Sequence, residues 1–143
     1  MAETPQSGML AVRLVTADRI LLDATADAVE LPAISGYIEA LYGAAPLLAQ
    51  LGAGEVRLHG GTSGDQKFFV AWGFAEVLPE RVTILAETAM HPDEIDRAEA
   101  QQELQEGEKL WQDAGDDGNK YDEANALTRQ AREKIASAEG KST

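Results

Sequence analysis

At about His91-Pro92 the chain stops reading as strands and starts reading as helix, so it is not a fold of a single class. Upstream, Leu10, Val12 and Leu14 alternate with Ala11, Arg13 and Val15, the period of two that a half-buried strand requires. Comparable runs fall at residues 19–22, 26–31, 37–41, 47–51, 55–59, 67–72, 74–78 and 81–86, parted by Gly, Pro, Asp and Ser. The clearest punctuation is Gly60-Gly61-Thr62-Ser63-Gly64-Asp65, which predicts a hairpin loop between two apolar strands. Short strands at this close spacing predict a β-sandwich or barrel of about eight to ten short strands, spanning residues 9–90.

Beyond Pro92 the composition turns to Ala, Glu, Gln, Lys and Arg, all good helix formers. Asp93 is the expected N-cap, with Glu94 and Asp96 in a first turn whose dipole favours negative charge. That helix is expected to reach Asp113, with Gly107 costing about 1 kcal/mol relative to Ala. Residues 114–119 read as a helix-breaking turn. A second helix follows over 121–138, its stripe formed by Tyr121, Ala124, Leu127 or Thr128, Ala131, Ile135 and Ala138. The two make a C-terminal antiparallel two-helix hairpin over 91–143. At about 25 cal/mol per Å² of apolar surface, so Ala-rich a stripe gains little, and the hairpin should part from the sandwich at modest cost.

Composition excludes several function classes. The 143 residues suffice for one medium domain, or a small domain with an appendage. A net charge of −13 repels phosphate backbones and anionic lipid heads, arguing against nucleic acid and against direct membrane insertion. Without cysteine there is no disulfide framework and no thiolate chemistry. Residues 1–8 have neither a basic n-region nor an apolar core, so no signal or transit peptide is expected. No run approaches the roughly 20 apolar residues needed to span a bilayer. A role at a membrane would need another protein to hold the chain there.

Catalytic chemistry is not expected either. His59 and His91 lack metal-ligand spacing with each other or with any partner, and read as surface or turn histidines. There is no nucleophile elbow, and the Gly60-Gly61 loop lacks the Lys and helix of a phosphate-cradling motif. Trp72 and Trp111 read as packing groups in a strand and in the hairpin. No catalytic residue, metal or cofactor site is assigned, and the chain is expected not to be an enzyme.

One segment is less bland. Across residues 36–48, Tyr37 and Tyr42 sit among small residues on what should be the rim of the sandwich. The residues leave two readings open there, a loop with packed tyrosines or a contact surface anchored by aromatics.

This same segment resembles the Gly-x-x-Gly-x-x-Pro-Gly-His-Ala-Pro-Leu-Leu stretch of ATP synthase epsilon subunits. Gly36, Gly43, Ala45, Pro46, Leu47 and Leu48 match, while Glu39, Tyr42 and Ala44 stand where the family has Gly, Pro and His. Upstream, Leu14-Val15-Thr16 with Asp18 resembles the opening strand and turn of that family. Downstream, Gly54-Glu55-Val56-Arg57-Leu58 is similar to its Gly-x-Ile-Arg-Ile strand. Glu76-Val77-Leu78-Pro79 and Val82 through Ala89 resemble its Glu-Val-x-Pro-x-x-Val-Thr-Val-Leu-Ala-Asp-Thr-Ala run.

The resemblance implies a non-catalytic bacterial rotor subunit, peripheral on the cytoplasmic face of the inner membrane. Its sandwich would bind the gamma subunit and rest on the c-ring, coupling proton translocation to ATP synthesis. Tyr37, Glu39, Tyr42 and Ala44 would form the contact loop. The hairpin would act as a switch, inhibiting ATP hydrolysis when extended towards the catalytic alpha and beta subunits. Arg129, Arg132 and Lys134 would then meet an acidic segment; pairing with helix carboxylates accounts for these bases equally well. Some relatives bind ATP through Ile/Leu-Asp-x-x-Arg-Ala and second-helix arginines. Ile95 and Asp96 match that motif, but Glu99 replaces the Arg, and Gln130 and Lys134 replace the others, so weak or absent ATP binding is expected. The competing reading is a non-catalytic β-sandwich adaptor whose hairpin recruits an unrelated protein.

Overall fold

The structure, a computed structural model, describes residues 8–140; residues 1–7 and 141–143 lie outside it, and with them most of the N-terminal segment considered for targeting signals. The chain divides into two compact units, Met1–Met90 and His91–Thr143.

Among the described residues the first unit carries eight strands: β1 (Leu10–Val15), β2 (Ile20–Ala26), β3 (Ala28–Ala33), β4 (Gly36–Leu41), β5 (Leu47–Gln50), β6 (Ala53–His59), β7 (Gln66–Val77) and β8 (Arg81–Met90). They pair in the order β2-β1-β8-β7-β6-β3-β4, with β5 on β7. Only β1 and β8 run parallel. Leu22 and Ala26 from one edge strand and Ala40 from the other join a single core with Leu14, Val29, Leu31, Val56, Phe68 and Ile84. A flat sheet would hold its two edges apart, so this one curls over itself as a β-sandwich around that core.

β7 makes the corner. Its first half pairs with β6 and its second half with β5, and between them Trp72 adopts φ 63° and Gly73 φ 114°. A Cβ on Gly73 would run into the Leu85 carbonyl oxygen, so glycine is what lets β8 pass this near. The sequence reading splits the stretch here into two strands. The structure keeps one bent strand, because both halves stay in register with β8. For the same reason β2 and β8 extend past their expected ends, to Ala26 and Met90, along their paired neighbours.

The second unit opens differently from expectation. Residues Pro92–Glu94 form a lone 3₁₀ turn, closed by the His91 N–H donating to the Glu94 carboxylate at 2.8 Å. Ile95 then takes extended backbone and is buried, which stops the turn growing into a helix. The N-cap is therefore Asp96, not Asp93, and it accepts the Glu99 N–H at 3.2 Å to start α1 (Arg97–Asp113). α2 (Gly118–Glu139) begins before the expected Tyr121 because the Asp117 carboxylate accepts the Asn119 and Lys120 N–H groups at 3.0 and 3.4 Å. Gly140, at φ 74°, closes it.

Ala100, Ala124 and Ala131 are buried, spaced to share a stripe with Gly107 and Thr128. A Cβ on Gly107 would stand 2.5 Å from Thr128 Cγ2 and 3.1 Å from its backbone N. The glycine that weakens α1 locally is thus the point where α2 comes closest. Trp111 is not packed as expected: it is 52% exposed, edge-on to Tyr121 at 5.6 Å. Two helices shield only the stripe between them, and Trp111 lies on its rim.

Candidate contact surfaces

Tyr37 and Glu39 alternate along β4, the edge strand, and both are exposed. Tyr37 is also tied down. Its hydroxyl accepts the Glu55 N–H at 2.9 Å, and the Arg57 guanidinium lies 5.0 Å above its ring. Gly54 makes this possible, since a Cβ there would stand 2.6 Å from that hydroxyl and 2.8 Å from Pro32 Cβ. Arg57 Nε in turn donates to Glu55 Oε1 at 3.1 Å, and its Nη1 lies 3.7 Å from Glu30, which His59 Nε2 meets at 3.0 Å. Glu55 is only 2% exposed, and that guanidinium helps to offset its buried charge. The result is a clasp across β3, β4 and β6.

Tyr42 follows in the turn after β4 and is exposed, whereas Ala44 is half-buried and packs against the core. The turn is anchored by the Gly43 N–H donating to the Pro79 carbonyl at 2.7 Å and the Ala44 N–H to Leu41 at 3.0 Å. Of the four loop residues singled out by the sequence, three therefore present side chains to solvent and Ala44 largely does not.

A second surface escapes the sequence reading. Strand register sets Ile20, Val15, Leu85 and Phe74 side by side across β2, β1, β8 and β7. Ile20, Leu85 and Phe74 are each more than half exposed. Leu48 on β5, exposed at 69%, lies diagonally beside Phe74, and a hollow of about 270 Å³ lined by Ile34, Ile38, Leu47 and Leu48 continues the apolar edge. An outward face of a sandwich is ordinarily polar, so a contiguous apolar row marks a surface built to be covered. The signal was present in the chain: Leu85 and Phe74 stand at alternate positions where a solvated face should carry polar residues. Only the cross-strand register lines them up.

On α2, Arg129 and Arg132 are exposed and carry no ion pair among the described residues. Lys134 does not join them. Residues two apart on a helix face different ways, and its Nζ instead donates to both Glu103 oxygens on α1, at 2.9 and 3.2 Å. Arg97 and Glu139 make a looser cross-helix pair at 3.5 Å. Asp96, matched above to an ATP-binding motif, uses its carboxylate as the α1 cap. Among the described residues no group of three or more His, Cys, Asp or Glu is placed to hold a metal, and no helix is long and apolar enough to cross a membrane.

Comparison with known proteins agrees with this architecture. The family model described as ATP synthase, Delta/Epsilon chain, beta-sandwich domain matches residues 9–92. The ATP synthase epsilon chain of Koribacter versatilis is 42% identical over 103 residues, 71% of either chain. That of Brucella anthropi is 36% identical over 101 residues, 71% of this chain and 75% of its own. In the Euglena gracilis mitochondrial ATP synthase, solved as an OSCP/F1/c-ring assembly, one chain superposes with a TM-score of 0.73 at 19% identity, covering 88% of this chain and 79% of that one. A chain from the central stalk and c-ring of the Tetrahymena thermophila mitochondrial enzyme gives 0.60 at 12% identity, covering 90% and 96%. At such identities these two likenesses speak for the fold alone. The chain belongs to the ATP synthase delta/epsilon family and, within it, to the epsilon chains, non-catalytic subunits of that complex.

Proposed function

We propose that this chain is a central-stalk rotor component that binds gamma and the c-ring and restrains ATP hydrolysis through its C-terminal helices. The apolar row Ile20, Val15, Leu85 and Phe74 is the observation that carries the reading, because it offers a rigid sheet face to a protein partner. In this reading gamma covers that face. The β4 rim, with Tyr37, Glu39, Tyr42 and the backbone around Ala44, meets the c-ring. The clasp at Tyr37 supports the second contact by stiffening the edge strand that leads into the loop.

Residues 9–90 then form the assembly domain and 91–143 the regulatory one. The hairpin's Ala-rich seam supports a switch, since two states must lie within a few kcal/mol for a partner to shift them. Extended, it would offer Arg129 and Arg132, with Lys134 once parted from α1, to an acidic segment of the catalytic subunits. The complex would sit on the cytoplasmic face of a bacterial inner membrane, coupling proton flow to ATP synthesis. Hydrolysis by the assembled head, with the full chain and with a chain stopped after Met90, tests this. Faster hydrolysis with the short chain still bound supports the switch. Unchanged hydrolysis removes it, and failure of both chains to join the head removes the rotor assignment.

A further inference from the structure

The seam between α1 and α2 is unusual in what it lacks. Its buried residues are Ala100, Gly107, Ala124, Ala131 and the small polar Ser137, while Leu104, Leu110, Leu127 and Ile135 are only half-buried. Alanine methyls bury little area, so the apolar hold on the closed hairpin is weak. Against that background one polar contact stands out. Lys134 and Glu103 are 12% and 20% exposed and joined by two short hydrogen bonds, 31 residues apart in sequence. The other cross-helix pair, Arg97 with Glu139, is longer, single and exposed at 59% on the arginine.

We propose that Glu103 and Lys134 form a latch that sets how often the hairpin opens. Burial makes each partner costly to leave alone in the closed state, so the pair resists loss of either member. Opening returns both charges to water, which solvates them well, so the latch releases without leaving a stranded group. That combination suits a reversible switch better than a leucine seam, whose exposure would be penalised throughout the open state. Release also changes what α2 displays: Lys134 becomes available on the half of the helix where Arg129 and Arg132 are already exposed. The latch concerns closure of the hairpin itself. Only its regulatory consequence rests on the switch reading above.

The chain has no cysteine, so spin labels placed at Gln101→Cys and Ala136→Cys in the full-length protein report the separation of the helices directly. The parent should give one narrow distance. Glu103→Gln and Lys134→Met should each raise the long-distance fraction about tenfold. The exchange Glu103→Lys with Lys134→Glu should restore most of the narrow population, while Arg97→Gln should change it less than about twofold. Helical circular dichroism confirms that each variant keeps its helices. Unchanged distances in both single variants, or an exchange no better than the singles, would overturn the latch. More opening with unaltered inhibition of the assembled head would uphold the latch and remove the switch reading instead.

Discussion

Replacing Gly107 by alanine sets two opposed effects against each other, and the structure decides between them. In an isolated helix the change favours α1 by about 1 kcal/mol, because Ala is the best helix former and Gly among the worst. In the hairpin the new methyl meets Thr128 Cγ2 at 2.5 Å, Thr128 N at 3.1 Å and Thr128 Cα at 3.4 Å. Thr128 is β-branched and its hydroxyl is already bonded to the Asn125 carbonyl at 3.1 Å, so its methyl has little freedom to turn away. The backbone N cannot turn away at all. The helices must separate, and overpacking of this kind costs typically 1–3 kcal/mol. The expected outcome is a loss of about 0–2 kcal/mol in hairpin closure despite a gain in helix propensity. Hydrogen exchange at α1 and α2 amides of the full chain reads this directly, and Gly107→Ala should exchange faster on both helices. Combining it with Thr128→Ala, which removes the nearer atom but not the backbone, should recover part of the protection. If Gly107→Ala slows exchange by the factor of about five that propensity alone would give, the close-approach argument is wrong.

Three further outcomes follow from the sandwich and the caps. Arg57→Met should destabilise the first unit by about 2–3 kcal/mol in urea unfolding, the low end for a broken buried pair because the guanidinium keeps some exposure; a loss below about 0.5 kcal/mol would show that Glu55 does not need it. Phe74→Asp or Leu85→Asp should leave the thermal midpoint within a few degrees, since both side chains face outward, yet abolish co-purification with gamma. Retained binding would move the gamma contact elsewhere. Calorimetric titration with ATP should show no saturable binding up to about 1 mM, because Glu99 opposes a triphosphate and Asp96 is engaged as a cap.

Local chemistry wrote a large part of this molecule. Period-two runs, turn glycines and the switch to helix formers after Pro92 act over a few residues, so they read directly as strands followed by two helices. The loop at residues 60–65 was legible for the same reason. Cap positions were less so: Asp93, Asp96 and Asp117 are chemically alike, and burial of Ile95 is what made Asp96 start α1. The tertiary structure alone decided which side chains became neighbours. Phe74 and Leu85 each look like ordinary strand residues until register sets them in one row with Val15 and Ile20. Gly107 looks like a flaw until Thr128 stands against it. Lys134 counts as one base among three until α1 brings Glu103 to it. Sequence fixes a residue's period and propensity, but its partner lies tens of positions away, and only chain packing selects that partner.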